Sequence, residues 1–202
     1  MKRALQDDQN ELLDALRHAA GGPELDVLLP RERQHERFAG AAAHLLTEGW
    51  MAGRPWLQGQ PTAGPDEAAV LAAARQAGQT LASDLADDVL GLLRHRLAES
   101  LADMAEAGNA AQDVASAAYR EWKGQRIEST AGDFITRAFA AGAVAACSGV
   151  PVKWLVDDNG QPCPDCDDNA LAGNQPAGEP FPTGQAHPPV HPGCRCVLVV
   201  SS

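Results

Sequence analysis

Aromatic side chains are scarce in this sequence, where Phe, Trp and Tyr together make up 4% of 202 residues. Hydrophobic residues reach 45%, but much of that fraction is alanine. Such a core buries little apolar area per residue, so closely approaching helices are favoured over a thick β-sandwich. The composition therefore predicts a mainly α protein, either a helical bundle or an elongated helical body.

Basic residues are also few, because 16 Lys and Arg stand against 27 Asp and Glu, which gives a net charge of −11. An acidic surface is repelled by phosphate backbones and lacks the usual footprint of a nucleic-acid-binding protein. The arginines within 31–37 and the basic residues within 120–126 are candidates for local patches, but we interpret both as solvated helix faces. We do not expect direct DNA binding to be the main role of this chain.

Long apolar runs are missing as well. The most apolar stretch, AFAAGAVAAC (138–147), is far shorter than a membrane-spanning helix. Met1-Lys2-Arg3 resembles the start of a secretion signal, but the polar residues 6–10 follow where such a signal needs an apolar segment. We therefore expect no membrane association, and a reducing compartment for the five cysteines.

Apolar residues at helical spacing organise most of the chain up to residue 149. The turn-rich stretch 53–65 is the clearest internal break. In 66–107, leucines recur at helical spacing and form a stripe along one side of the predicted helix. This stripe is expected to pack within the same bundle, and the alternative is that it binds a partner as a coiled coil. The sequence predicts an alanine-rich helical domain over 1–149, with helices at 7–20, 31–52, 66–107, 109–122 and 127–147.

The last part of the chain has a different pattern. VPVKWLV (150–156) and VLVV (197–200) each predict a short β-strand, and pairing of the two would bring the segments beside them together. We therefore expect a separate C-terminal module over 150–202, a small appendage with two short strands.

Four of the five cysteines lie in this module as two close pairs, and a histidine precedes the second pair. Cys-x-x-Cys can hold one Zn²⁺ from a tight turn, and His-x-x-Cys can complete a tetrahedron. The segment between the two motifs has too little apolar content for a core of its own, so a metal ion is the natural clamp. The sequence predicts a structural zinc knuckle with five candidate ligands: Cys163, Cys166, His191, Cys194 and Cys196.

The spacing leaves the ligand set open. The Cys-x-x-Cys pair is its firmest part, and His191, Cys194 and Cys196 are three candidates for the two remaining places. A four-cysteine site and a Cys₃His site are equally compatible with the sequence. His187 is a more distant candidate, and two disulfides between the cysteine pairs are the alternative to a metal.

No catalytic pattern accompanies the cysteines. Pro162-Cys163-Pro-Asp-Cys166 matches half of the zinc-deaminase signature, but the His-x-Glu that supplies the proton-transferring acid in those enzymes is absent from the chain. His35-Glu36 lacks the second histidine at metalloprotease spacing. Four protein ligands also leave no open position for water. We therefore predict a non-catalytic protein without catalytic residues.

The order of the C-terminal elements resembles a known family. Trp154 is followed by CPDC (163–166), GEPF (178–181), PPVHPGCRC (188–196) and VLVV (197–200). This order is similar to the C-terminal signature of phage Mu F-like minor head proteins, and it covers about the last quarter of the chain.

The preceding helix extends the resemblance to this family. RAFAAG (137–142) is similar to the Arg-Ala-Tyr-x-Ala-Gly run of the family. The Arg-Thr-Glu triplet that opens this helix in the family has Glu128-Ser-Thr and Asp133 as its nearest counterparts here.

The resemblance implies a minor head protein that acts in head morphogenesis and in DNA packaging or delivery. Its expected partners are the phage portal protein, the major capsid protein and other copies of itself. Its expected location is the virion, inside the capsid near the portal, after assembly in the host cytoplasm. The alternatives are a phage-delivered effector or toxin-type enzyme, and a cytosolic zinc-ribbon adaptor.

Overall fold

The computed structural model describes residues 1–18, 24–57, 66–107, 111–157 and 163–201, without the side chains of 103–107 and 125. Within these ranges the chain is mainly helical and carries a small C-terminal β-sheet, as predicted. In the described residues, no helix is both long and apolar enough to cross a membrane. The helices are α1 (Lys2–His18), α2 (Leu25–Leu28), α3 (Arg31–Gly53), α4 (Glu67–Ala107), α5 (Ala111–Glu121), α6 (Ile127–Ala146) and α7 (Pro164–Leu171). The strands are β1 (Pro151–Leu155), β2 (Gln175–Pro176) and β3 (Val197–Val200).

The helix bounds follow the predicted ones closely for α3, α4 and α6. Helix α4 begins where the Asp66 carboxylate accepts a 3.0 Å hydrogen bond from the Ala68 amide, which satisfies one free N–H group of the first turn. Residues 58–65 of the predicted break, and the predicted helix start at 109, lie outside the described residues.

Four local features differ from the predictions, and the first is the short helix α2, which was not predicted. Helix α1 begins at Lys2 rather than at residue 7. A π-helical turn, Trp122–Arg126, joins α5 to α6, and Gly124 has a non-helical ψ of −134° where a helix end was predicted. The C-terminal module has a third strand and an additional helix, β2 and α7, instead of two strands alone.

The contacts divide the chain into two compact units, residues 1–43 with 82–131 and residues 44–81 with 132–202. The C-terminal segment 150–202 belongs to the second unit, together with helical residues of α3, α4 and α6. In the first unit, Leu85, Leu90, Leu93 and Leu97 of α4 are buried, whereas Leu92 is 52% exposed and Leu101 is partly buried. The largest buried side chains of this unit are Leu5, Leu12, Leu29, Phe38, Leu85, Leu90, Leu93, Leu97, Tyr119, Trp122 and Ile127.

A polar network lies inside the first unit. The buried Asp8 carboxylate accepts hydrogen bonds of 2.6 Å from the Tyr119 hydroxyl and the Gln34 amide, and it forms an ion pair with Arg37. Arg94 donates to the Gln34 side chain and to the Leu29 carbonyl. The network connects α1, α3, α4 and α5, so each of its members specifies how these helices pack.

The second unit depends on close contact between α3 and α6. A Cβ added at Gly142 would lie 1.8 Å from the Trp50 carbonyl oxygen, and one added at Gly53 would lie 1.8 Å from the Phe139 carbonyl oxygen. The two helices approach each other through these reciprocal glycine contacts. Backbones at this distance leave no room for any side chain.

The sheet has the strand order β2-β1-β3, with both pairings antiparallel. The predicted pairing of the two longer strands is confirmed, with Trp154 opposite Leu198 and Leu155 opposite Val197. Trp154 is buried and packs edge-on against Phe181, with ring centroids 5.1 Å apart. This pairing brings the start of β3, directly after Cys196, beside the end of β1.

Candidate metal centre

The Cys-x-x-Cys motif is positioned by the start of α7. Cys163 has an extended backbone and is the last residue before the helix, and Pro164 occupies the first turn. The Asp167 amide donates a 2.9 Å hydrogen bond to the Cys163 carbonyl, which closes the turn that contains both cysteines. Proline suits this place because it has no N–H group to leave unsatisfied.

The second group of candidate ligands lies on a turn before β3. The Cys194 amide donates a 3.1 Å hydrogen bond to the His191 carbonyl, and Gly193 between them has a φ of +74°, which favours glycine. The Gly193 amide donates a 2.9 Å hydrogen bond to the Asp133 carboxylate of α6. Cys196 leads directly into β3, so the sheet determines where this segment ends.

The structure brings all five predicted ligands together. The ligand atoms of Cys163, Cys166 and His191 lie within 4.8 Å of one another, and so do those of Cys166, Cys194 and Cys196. Cys166 belongs to both groups. Its Sγ lies 3.8 Å from Cys194 Sγ and 3.6 Å from His191 Nε2.

These distances fit a tetrahedral ion. With Zn–S bonds of about 2.3 Å and Zn–N bonds of about 2.0 Å, the edges of a tetrahedron are about 3.8 Å between sulfurs and about 3.5 Å from sulfur to nitrogen. The Cys166 distances match both values. This C-terminal Cys/His cluster can therefore hold a metal ion.

Burial raises the pKa of two thiols of the cluster. Cys166, Cys194 and Cys196 are buried, whereas Cys163 and His191 are partly exposed. Burial raises the pKa of Cys166, and the neighbouring thiols raise it further. Burial also raises the pKa of Cys196. Burial thus favours the neutral form of the Cys166 and Cys196 thiols, and a bound cation must displace their protons.

Two of the alternatives from the sequence do not match the described geometry. All five cysteines are free thiols, so the disulfide pairing is not formed. His187 is not part of either ligand group and instead makes a 2.7 Å hydrogen bond with the Pro188 carbonyl.

Three residues beside the cluster were not predicted as part of the site. Asp133 accepts a hydrogen bond from the ligand turn, Trp154 is buried in the same core cluster as three of the candidate cysteine ligands, and Asp157 forms a 3.0 Å ion pair with Arg195. The sequence did single out Asp133, as one of the nearest counterparts of the Arg-Thr-Glu triplet of the family that the chain resembles. Trp154 also belonged to the family pattern, but nothing local linked it to a particular ligand.

Comparison with known proteins gives no relative for this chain. No protein-family model matches it. No curated protein and no solved structure matches it either.

Proposed function

We propose that this chain is a minor head protein of a tailed phage, associated with the portal inside the capsid, whose C-terminal module is held together by a structural Zn²⁺ ion. The observation that carries the proposal is the meeting of the Cys-x-x-Cys and His-x-x-Cys-x-Cys motifs at one point. These are the elements through which the sequence resembles the Mu F-like family. Because the two motifs meet, their side chains can bind the same metal ion.

Zinc is the ion that suits this donor set best. Thiolates with an imidazole in tetrahedral arrangement select Zn²⁺ among the common divalent ions, whereas Mg²⁺ and Ca²⁺ prefer oxygen ligands. The bound ion supplies folding free energy by joining α7 to the strand β3. Four protein ligands saturate such an ion, which supports a structural rather than a catalytic role.

The charge distribution supports protein partners over DNA as the main contacts. In the first unit, the arginines of the candidate patch within 31–37 are paired with carboxylates. In the other candidate patch, Lys123 bonds Gln6 and Gln9, and Arg126 pairs with Glu121. The portal protein and other copies of the chain are the proposed partners.

Quantitative mass spectrometry of gradient-purified particles tests this function. The copies of this chain are counted against the portal and major capsid proteins. A low copy number, comparable to that of the portal, is the expected result. Complete absence from mature particles contradicts the proposal, and it favours an assembly factor, a delivered effector or a cytosolic zinc-ribbon adaptor.

Substitutions of the candidate ligands test whether the metal ion is needed for this function. Replacement of Cys163 and Cys166 by Ser is expected to unfold residues 150–202 and to reduce incorporation into particles. Cys147→Ala is the matched control, because Cys147 is a buried thiol whose Sγ bonds the Ala143 carbonyl within α6 and is not in the ligand groups. Equal incorporation of both variants contradicts a structural role for the metal.

A further inference from the structure

The outer face of the small sheet is apolar apart from one lysine. Strand β1 alternates between buried and exposed residues, and its buried residues, Val152 and Trp154, face the core. The exposed residues of β1 and their direct partners on β3 share the opposite face, where Leu155 is 50% exposed. We call this surface the sheet face, and it consists of Pro151, Lys153, Leu155, Val197 and Val199.

Lys153 lies at the centre of the sheet face. Val199 is directly opposite it on β3, and Pro151 and Leu155 precede and follow it on the same side of β1. Its side chain is exposed, and it forms no ion pair with any residue that the structure describes. An unpaired cation surrounded by apolar residues is complementary to an apolar surface that carries a carboxylate.

Helix α7 presents a surface of that kind. Leu171 is 84% exposed, the largest value among the large hydrophobic side chains of the described residues. Asp167 and Asp168 lie one helical turn before it, so their side chains are its neighbours on the helix surface. Both acids are exposed, and neither forms an ion pair within the described ranges. We call Asp167, Asp168 and Leu171 the acidic knob.

The two surfaces match in spacing as well as in charge. Side chains one turn apart on a helix have their Cβ atoms about 5–6 Å apart. Directly opposed side chains of an antiparallel pair have theirs about 4.5–5.5 Å apart. When Leu171 lies on Val199, an acid of the knob therefore lies within reach of Lys153.

One module cannot bring its own two surfaces together. Helix α7 packs against β1 through Cys166, which is buried in the same core cluster as Val152 and Trp154. The acidic knob and the sheet face therefore both point away from the core that lies between them. A contact between the two surfaces requires a second copy of the chain.

We propose that the acidic knob of one copy docks on the sheet face of the next copy. Leu171 then covers the apolar residues of the sheet face, and a carboxylate beside it pairs with Lys153. Because the two surfaces differ, the contact is head-to-tail, and it produces a ring where the rotation closes and an open chain where it does not. The net charge of −11 does not prevent this, since charges farther apart than about 8 Å are largely screened at physiological ionic strength.

This contact rests on the proposed function, in which other copies of the chain are among the partners. The candidate metal cluster lies between the two surfaces in the chain, because Cys166 is on α7 and Cys196 leads into β3. A bound ion thus fixes the acidic knob relative to the sheet face. The contact belongs to the metal-loaded chain.

Sedimentation velocity of the purified, zinc-loaded full-length chain tests the contact. Over a concentration series at physiological ionic strength, the wild type is expected to associate beyond the monomer. A wild type that stays monomeric at every concentration overturns the proposal, and it makes the portal protein the better candidate for the sheet face.

Two variants remove one surface each. Lys153→Glu places a like charge opposite the acidic knob, and Leu171→Gln removes the apolar side chain of the knob. Each is expected to weaken self-association by at least about tenfold. An equal mixture of the two variants is expected to form dimers and nothing larger, because only one intact knob and one intact sheet face remain in each pair. A mixture that stays monomeric, or that forms larger species, overturns the head-to-tail contact.

Matched controls lie on the helices of the same unit. Arg75→Glu makes the same change of charge as Lys153→Glu, at an exposed arginine that forms no ion pair within the described residues. Leu45→Gln matches Leu171→Gln, at a leucine that is 54% exposed. Both controls are expected to associate like the wild type, and all four variants to retain the zinc content of the wild type. Equal association in each variant and its control overturns the proposal.

The outcome is distinguishable from failure of the proposed function. A chain that is present in purified particles but monomeric in solution overturns this contact and leaves the proposed function in place. A chain that associates through these two surfaces but is absent from particles supports the contact and contradicts the proposed function.

Discussion

The Asp133 carboxylate of α6 accepts a 2.9 Å hydrogen bond from the Gly193 amide, in the turn between His191 and Cys194. The two residues are separated by 60 positions in the sequence. A helix is thus bonded directly to the turn that carries Cys194. Asp133 is in neither group of candidate ligands, and it holds the backbone from which the candidate ligand Cys194 projects.

The first prediction concerns this contact. Asp133→Ala is expected to lower the zinc affinity by about tenfold, because the turn loses its anchor and its amide loses a charged acceptor. Asp133→Asn is the control, since its side-chain oxygen can still accept the bond, and most of the affinity should return. Competition with a chromophoric chelator measures both. Equal losses in the two variants would mean that the charge, not the hydrogen bond, matters.

Glycine contacts give the second prediction. Gly142→Ala is expected to reduce the free energy of unfolding by about 1–3 kcal/mol or more, because the added methyl group overlaps the Trp50 carbonyl and the helices must separate. Gly132→Ala on the same helix has open space around the new Cβ and should stabilise by about 0.5–1 kcal/mol. Chemical denaturation of the zinc-loaded chain compares them. Stabilisation by both variants would disprove the close contact.

The buried network of the first unit gives a third prediction. Tyr119→Phe removes the hydroxyl that donates to Asp8 and leaves the rest of the ring in place. The buried carboxylate then loses one of its donors, so the free energy of unfolding should fall by about 1–3 kcal/mol. Denaturant titration at neutral pH measures the loss. A change within experimental error would mean that water replaces the hydroxyl.

The pH dependence of Asp8 is the fourth prediction. Burial raises the pKa of the Asp8 carboxyl above its ordinary value of 3.8, against the opposite effects of Tyr119, Gln34 and Arg37. The folded chain therefore binds the proton more tightly than the unfolded chain. The stability contributed by protonated Asp8 is complete below pH 3.8 and is lost as the pH rises through the folded-state pKa.

Asp8→Asn isolates this contribution, because asparagine does not titrate. The difference in unfolding free energy between wild type and variant should decrease as the pH rises from about 3.8. Denaturation at a series of pH values gives this difference. An increase over the same interval would show that the ion pair with Arg37 outweighs burial and lowers the pKa.

Local patterns in the sequence predicted the helices well, because periodic leucines and helix-start signals act over a few residues. Helix α7 was missed although Pro164 and the acids at 165 and 167 are start signals, since they also suit a turn. Strand β2, with two residues, is too short to show any alternation. The five candidate ligands were predictable from spacing.

Contacts between distant segments were not predictable from such patterns. The bonds of Asp133 to Gly193 and of Asp8 to Tyr119 connect residues far apart in the chain. Nothing near Asp8 in the sequence indicates that this one acid of a polar helix is buried.

Native mass spectrometry of the full-length chain, purified without added metal or chelator, tests the central claim most directly. The account predicts one zinc ion per chain with all cysteines free of disulfides, and loss of that ion in the Cys163→Ser, Cys166→Ser double variant. A metal-free chain with its cysteines reduced, or one whose mass shows two disulfides, would contradict it.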